Sequence, residues 1–156
     1  MAELQKKDVL PIKKAIKNIC KEEDFFYSDV IDYIKGDVSS KMHLTLFYGL
    51  IDKEINKNKL NENIRKIKLN NLELGKVFFI SGYKNQYKLL CLKVLDKNKE
   101  LKKVHDTFKK FPYEINVQHK NFKPHLTLAY LKPNFRLNHK INFPTEIKIR
   151  KITYDI

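Results

Sequence analysis

The tetrapeptide His43-Leu44-Thr45-Leu46 occurs a second time, unchanged, at residues 125–128. Given the five His and five Thr of this chain, chance would produce about 0.2 His-x-Thr triplets, so two copies with identical spacers are not accidental. Imidazole titrates near neutral pH, so two histidines can supply a general base and a general acid. Threonine hydroxyls can donate hydrogen bonds to the non-bridging oxygens of a phosphate. The residue types therefore suit phosphodiester cleavage that needs no metal.

Both copies lie in segments that are rich in strand-forming residues. Side chains alternate across a strand, so the His and Thr of each copy share one face and the two leucines share the other. We expect the leucine face to pack under helices and His43, Thr45, His125 and Thr127 to line a cleft. If the two strands are neighbours in one sheet, both imidazoles and both hydroxyls converge on one site.

These histidines have two other interpretations. A single His on a strand is usually structural, but an identical second copy favours catalysis. A metal site is disfavoured because neither tetrapeptide contains Cys, Asp or Glu. The two cysteines, Cys20 and Cys91, are too few and too far apart for a zinc site or a disulfide framework. We therefore expect reduced thiols, no metal and no cofactor.

The length of 156 residues favours one domain, spanning residues 1–156. Hydrophobic residues make up 42% of the chain and charged residues 32%, a balance typical of a folded globular protein. No apolar run approaches the roughly 18–20 residues that cross a bilayer, so no membrane association is expected. The first residues lack the apolar stretch of a secretory signal, which predicts a cytoplasmic protein.

The formal net charge of +14 favours partners that carry phosphate. However, Lys accounts for all of the 32 basic residues except Arg65, Arg136 and Arg150, and Asn is also abundant. An AT-rich genome produces the same enrichment. The charge alone therefore does not establish nucleic-acid binding.

Hydrophobic periodicity predicts an α+β fold. Residues 1–40 are predicted to be mainly helical, with a first helix opened by Pro11 and a second, short helix over 28–35. Further helices are predicted over 53–67 and 97–110. The predicted strands are 42–50, 72–80, 86–95, 125–131 and 146–155, with a hairpin turn at 81–85.

The paired His-x-Thr motifs, on strands of a small α+β domain, resemble the 2H phosphoesterase superfamily. The resemblance covers the chain from about residue 40 onward. It implies a bilobal fold, in which two β-rich lobes with flanking helices enclose a central cleft. It also implies His43, Thr45, His125 and Thr127 as the catalytic residues.

A narrower resemblance is carried by the segments around the motifs, HLTLFYG at 43–49, YKLLCLKV at 87–94 and FKPHLTLAYLKP at 122–133. These segments are similar to the phage anti-CBASS phosphodiesterases. Such enzymes degrade the cyclic di- and trinucleotide signals of bacterial antiviral systems, cyclic GMP–AMP among them. The resemblance implies the same substrate and, for a phage-encoded protein, the host cytoplasm as its location.

Five further residues are candidates for substrate binding. Phe47 can share the cleft face and stack on a base, although a core position is an equal alternative. Lys123 lies two residues before His125 and can reach a phosphate. The others are Tyr27, Tyr83 in the predicted hairpin turn, and Glu146 at the start of the last strand.

The remaining aromatic and histidine residues have structural interpretations. Tyr48 and Tyr130 are expected in the core, because alternation places them on the leucine face. His105 is predicted to border the core of its helix. His119 and His139 have no threonine two residues later and do not reproduce the motif.

Two alternative functions remain open. One is a 2H-type enzyme acting on RNA ends, 2′,3′-cyclic phosphates or 2′,5′-linked oligonucleotides. Across the leading function and this alternative, the expected substrate is a cyclic oligonucleotide or a short RNA. The other is a module that sequesters nucleotides without cleaving them. Paired acid and base groups argue against sequestration, because binding alone does not need them. No obligate protein partner is evident from the sequence.

Overall fold

Six strands form one antiparallel sheet within the residues that the computed structural model describes, which are 1–28, 42–115 and 121–154. Three helices accompany the sheet, so the predicted mixture of helices and strands is confirmed. The strands are β1 (Ala2–Leu4), β2 (His43–Leu44), β3 (Asn71–Ser81), β4 (Lys88–Leu95), β5 (His125–Leu131) and β6 (Glu146–Ile152). The helices are α1 (Lys6–Ile19), α2 (Lys57–Lys66) and α3 (Glu100–Phe108).

The strand order makes the two motif strands neighbours. It runs β1-β2-β5-β4-β3-β6, and β6 pairs back to β1, so the sheet closes on itself. Helix α1 connects β1 to β2, and α3 connects β4 to β5, so strand, helix and motif strand follow one another twice. The condition under which both motifs share one site is therefore met. The two-lobed arrangement implied by the resemblance remains a prediction.

The leucines of both motifs form the core side of the sheet. Leu44, Leu46, Leu126 and Leu128 are at most 1% exposed. Helix α1 adds its own buried face of Val9, Ile12 and Ile16. Burying a leucine side chain contributes roughly 1.5–3 kcal/mol, so these contacts fix which face of each motif strand points inward. The prediction that the leucine face packs under helices is confirmed.

The N-terminal region differs from the prediction of a helix opened by Pro11. Strand β1 comes first and α1 begins at Lys6, so Pro11 lies inside the helix. Proline lacks an N–H and removes one backbone hydrogen bond there, a cost that the buried face of α1 offsets. Strand β1 has only three residues, too few to show a period of two. The helix predicted over 28–35 falls almost entirely outside the described residues.

The first motif strand is much shorter than the predicted 42–50. Only His43 and Leu44 belong to the ladder, and Leu50 then forms an isolated bridge with Tyr113. Because the chain leaves the sheet after Leu44, strand alternation no longer applies to Tyr48. Tyr48 is 66% exposed, so its predicted core position is wrong.

The other elements follow the predictions within a few residues at most ends. The 53–67 helix is divided into a 3₁₀ turn at Asp52–Glu54 and α2, because Asn56 caps α2 by accepting a hydrogen bond from the Lys59 amide at 3.1 Å. Among the described residues, no helix combines the length and the apolar character needed to cross a membrane.

Candidate active site

The register between β2 and β5 brings the two motifs together. The strands are antiparallel, with Leu44 opposite Leu126. One step to either side therefore sets His43 beside Thr127 and carries Thr45 toward His125. Each histidine neighbours the threonine of the other copy, on the face opposite the buried leucines. Thr45 is exposed and the other three residues are half-buried, so all four are accessible to a ligand.

The ring of His125 is held by its surroundings. Its Nδ1 lies 2.7 Å from the carbonyl oxygen of Lys123. A carbonyl only accepts, so Nδ1–H donates, and the neutral ring keeps its lone pair on Nε2. The ring of Phe78 meets His125 edge to face, with centroids 5.9 Å apart. Nε2 is therefore the nitrogen available to exchange a proton with a substrate. Lys123 positions His125 through its backbone, while its side chain is exposed.

Thr127 has a buried thiol beside it on β4. Cys91 is opposite Thr127 in the ladder and is fully buried. Burial raises the pKa of the Cys91 thiol to about 12, and a hydrogen bond with the Thr127 hydroxyl opposes that rise. Because it opposes the rise, this hydrogen bond has the Thr127 hydroxyl as its donor and the Cys91 sulfur as its acceptor, although the raised pKa keeps the thiol protonated at neutral pH. Cys91 and Cys20 are both free, as predicted.

Two charged neighbours of the histidines were missed by the sequence analysis. Lys93 on β4 is opposite His125, and Glu3 on β1 is opposite His43. Directly opposed residues share a face, with Cβ atoms about 4.5–5.5 Å apart. The Glu3 carboxylate pairs with Lys151 at 3.3 Å. The side chain of Lys93 is exposed and forms no hydrogen bond or ion pair within the described parts of the chain. The register of distant strands reveals these neighbours, and sequence spacing does not.

A cleft of about 450 Å³ adjoins the first motif. His43, Thr45, Phe47 and Tyr48 contribute to its lining, together with Tyr154 from the segment after β6. His125 and Thr127 are not among its lining residues. The cleft therefore extends from the first motif along an aromatic surface. Tyr48 and Tyr154 contribute to this surface, although the sequence did not predict them there.

Phe47 packs against other rings and also lines the cleft. Its ring packs against Phe108 at 6.2 Å and against Tyr113 at 5.3 Å, measured between centroids. It also lines the cleft beside His43. A partly buried ring of this kind can present one side to a base while its other contacts fix its orientation.

The remaining three candidates for substrate binding lie away from the motifs. Tyr83 and Tyr27 are 62% and 56% exposed, and Tyr83 is in the turn before β4. At that end of β4, Lys88 is paired with Leu131, which is about 20 Å along β5 from its first residue. Tyr27 lies near the same end, beside Lys132. Glu146 is exposed and opposite Glu73 on β3. The structure does not bring these residues to the histidines.

Tyr130 is half-buried rather than in the core, which corrects its predicted position. Leu90 is paired with Ala129 and Cys91 with Thr127, so Leu128 is an extra residue on β5. Such a β-bulge reverses the alternation beyond it. Tyr130 consequently faces away from the leucines and contacts the ring of Tyr87, with centroids 5.9 Å apart.

His105 links the segments next to the two motifs. It is buried, as predicted, and its Nδ1–H donates to the Leu46 carbonyl at 2.9 Å. Its ring stacks on Phe122 at 4.3 Å and packs on Phe47 at 5.0 Å. Burial lowers the pKa of His105, so the ring is neutral near pH 7. His139 is exposed, and His119 lies outside the described residues.

The described ranges contain no group of three or more His, Cys, Asp or Glu side chains arranged to hold a metal ion. Comparison of the sequence with models of known protein families and with curated proteins gives no match. The geometry of the two motifs is therefore the observation that bears on function.

His105 makes fold stability depend on pH. Its folded-state pKa is below the ordinary 6.5, so the unfolded chain binds the proton more readily and stability falls as pH drops through that value. We predict that His105→Gln loses less stability than wild type between about pH 7.5 and about pH 5. Urea unfolding midpoints measure this effect. His139→Gln, which replaces an exposed histidine, should keep the wild-type pH dependence. A wild-type pH dependence in His105→Gln would contradict the prediction.

Proposed function

We propose that this chain is a 2H-type phosphodiesterase that cleaves 3′,5′-phosphodiester bonds of cyclic di- or trinucleotides without a metal ion. One observation carries the proposal. Two identical His-Leu-Thr-Leu segments lie on adjacent antiparallel strands, with Leu44 opposite Leu126. This register supports a single site with two imidazoles and two hydroxyls, the groups that acid–base cleavage of a phosphodiester requires.

The order of the sheet supports the bilobal 2H-phosphoesterase-like arrangement. Counted outward from the line between β2 and β5, the strands are β2, β1 and β6 on one side and β5, β4 and β3 on the other. Each motif strand is preceded along the chain by a helix and, before it, by the adjacent strand. Two similar halves meeting at the motif strands are consistent with a central cleft shared between lobes.

The proposed reaction transfers two protons. One histidine takes the proton from the attacking oxygen, either the substrate 2′-hydroxyl or a water, as the new P–O bond forms. The other gives a proton to the 5′-oxygen as its bond to phosphorus breaks. The hydroxyls of Thr45 and Thr127 donate to the non-bridging oxygens, whose negative charge grows in the transition state. Both attacks open the ring: attack by the 2′-hydroxyl leaves a 2′,3′-cyclic phosphate at the new end, and attack by water leaves a 3′-phosphate.

Lys93 is suited to bind the reacting phosphate. It is directly opposite His125, exposed, and without an ion pair among the described residues. The equivalent position beside His43 is Glu3, whose charge is engaged by Lys151. An ammonium beside the second motif stabilises the phosphorane-like charge, and the phosphate is therefore drawn toward β4.

The cyclic-nucleotide substrate is supported by the resemblance of the motif segments to the phage anti-CBASS phosphodiesterases. In that role the protein removes the nucleotide signal before it activates an antiviral effector. The cleft beside His43 supplies aromatic side chains, Phe47, Tyr48 and Tyr154, on which a base can stack.

The direct test incubates purified protein with cyclic GMP–AMP in EDTA and reads the products by mass. We expect cleavage by the wild type and a loss of at least about 100-fold in His43→Ala and in His125→Ala, because each removes one proton-transfer group. His139→Ala, at an exposed position, serves as the matched control and should retain wild-type turnover. Intact cyclic substrate after long incubation at high enzyme concentration contradicts the proposal.

The same assay separates the alternatives. Preferential cleavage of linear RNA, of 2′,3′-cyclic phosphates or of 2′,5′-linked oligonucleotides in competition indicates the second type of enzyme. Depletion of free cyclic GMP–AMP that is equal in wild type and in the His43→Ala/His125→Ala double variant, with the nucleotide recovered unchanged, indicates sequestration.

Lys93→Met tests the phosphate contact. We expect kcat/KM to fall about 10- to 100-fold, since hydrogen bonds to charged groups contribute roughly 1.5–3 kcal/mol. Lys93→Arg should recover part of the loss. Lys66→Met removes the same charge from the exposed surface of α2 and should stay within about twofold of wild type. An equal effect of Lys93→Met and Lys66→Met would show that only the diffuse field of the protein matters.

A further inference from the structure

A second cavity adjoins His43 on its α1 side. Its volume is about 410 Å³, within the range of about 300–1,000 Å³ typical of small-molecule sites. His43 lines this cavity and also the aromatic cleft described above. The candidate catalytic histidine therefore lies where the two cavities meet, and a ligand bound in one reaches the reacting group at the edge of the other.

The walls of this cavity carry positive charge on two elements. Lys6 and Lys13 are each about one turn from Leu10 on the same face of α1, and Arg150 comes from β6. Within the described residues, the side chains of Lys6 and Arg150 form no hydrogen bond or ion pair. Glu3 also lines the cavity, but its carboxylate already pairs with Lys151. The cavity consequently favours an anion.

The positive charge of this cavity is not explained by the abundance of lysine in the chain alone. Among the described residues, no Lys or Arg lines the aromatic cleft on the other side of His43, whereas Lys6, Lys13 and Arg150 line the cavity on the α1 side. Apolar side chains of Leu4, Val9 and Leu10 line the cavity between the cations. Cations around an apolar surface fit a phosphate joined to a sugar and base.

We infer that this cavity binds a second phosphate group of the substrate, so that the site selects nucleotides with at least two phosphates over those with one. The inference rests on the proposed function for the identity of His43 as a reacting group. With the scissile phosphate beside His43, the next nucleotide extends toward α1, and Arg150 can hold its phosphate through two parallel N–H donors. A cyclic dinucleotide satisfies both positions, whereas a dinucleoside monophosphate satisfies only one.

The test compares substrates across one double variant and a matched control. Lys6→Gln/Arg150→Gln removes two cavity cations, and Lys59→Gln/Arg65→Gln removes the same charges from the exposed surface of α2. We expect the cavity variant to raise KM for cyclic GMP–AMP by about tenfold or more and to leave kcat/KM for a one-phosphate substrate such as ApG within about twofold. The α2 variant should change neither by more than about twofold.

Equal losses on both substrates, or no loss on cyclic GMP–AMP, would overturn the inference while leaving the proposed function intact. If the wild type cleaves neither substrate, the proposed function fails and a binding measurement decides the inference separately. Weaker binding of cyclic GMP–AMP to the cavity variant than to the α2 variant would then support the second-phosphate site. Equal affinities would contradict it.

Discussion

The pairing of β2 with β5 is the constraint on which the site depends. Strand β2 contributes only two residues, and its register is fixed by Leu44 opposite Leu126. Because side chains alternate with a period of two, a shift of β2 by one residue would bury His43 and expose Leu44. The fully buried leucines of both motifs oppose such a shift. The same repeated tetrapeptide thus supplies the packing that sets the register and the polar groups that the register brings together.

Helix α3 extends this constraint beyond the ladder. Its N-terminus is held by Asp96, whose carboxylate accepts from the amides of Leu101 and Lys102, both at 2.9 Å. From that helix His105 reaches the carbonyl of Leu46, just after the first motif, and stacks on Phe122, just before the second. One neutral buried histidine consequently joins the two ends of the site where the first motif strand has already left the sheet. The two catalytic candidates remain on the accessible face.

Much of this arrangement could be predicted from the sequence, because the relevant signals are local. Alternation within His-Leu-Thr-Leu correctly predicted which side chains are buried, and β5 has the predicted bounds, His125–Leu131. Alternation failed at Tyr48, where the chain leaves the sheet, and at Tyr130, beyond a bulge at Leu128. Neither event has a local signature. The neighbours Lys93, Glu3 and Arg150 were not predicted either, because their proximity depends on pairing between strands distant in sequence.

The central claim is that the two histidines act on one phosphodiester as a single acid–base unit. The most direct measurement is a double-mutant cycle on kcat with His43→Ala, His125→Ala and the combined variant, using the substrate cleaved fastest by the wild type. Residues that act in one step give strongly non-additive losses. We expect the double variant to be no more than about tenfold slower than the slower single variant. Losses that multiply, so that each histidine contributes independently of the other, would contradict it.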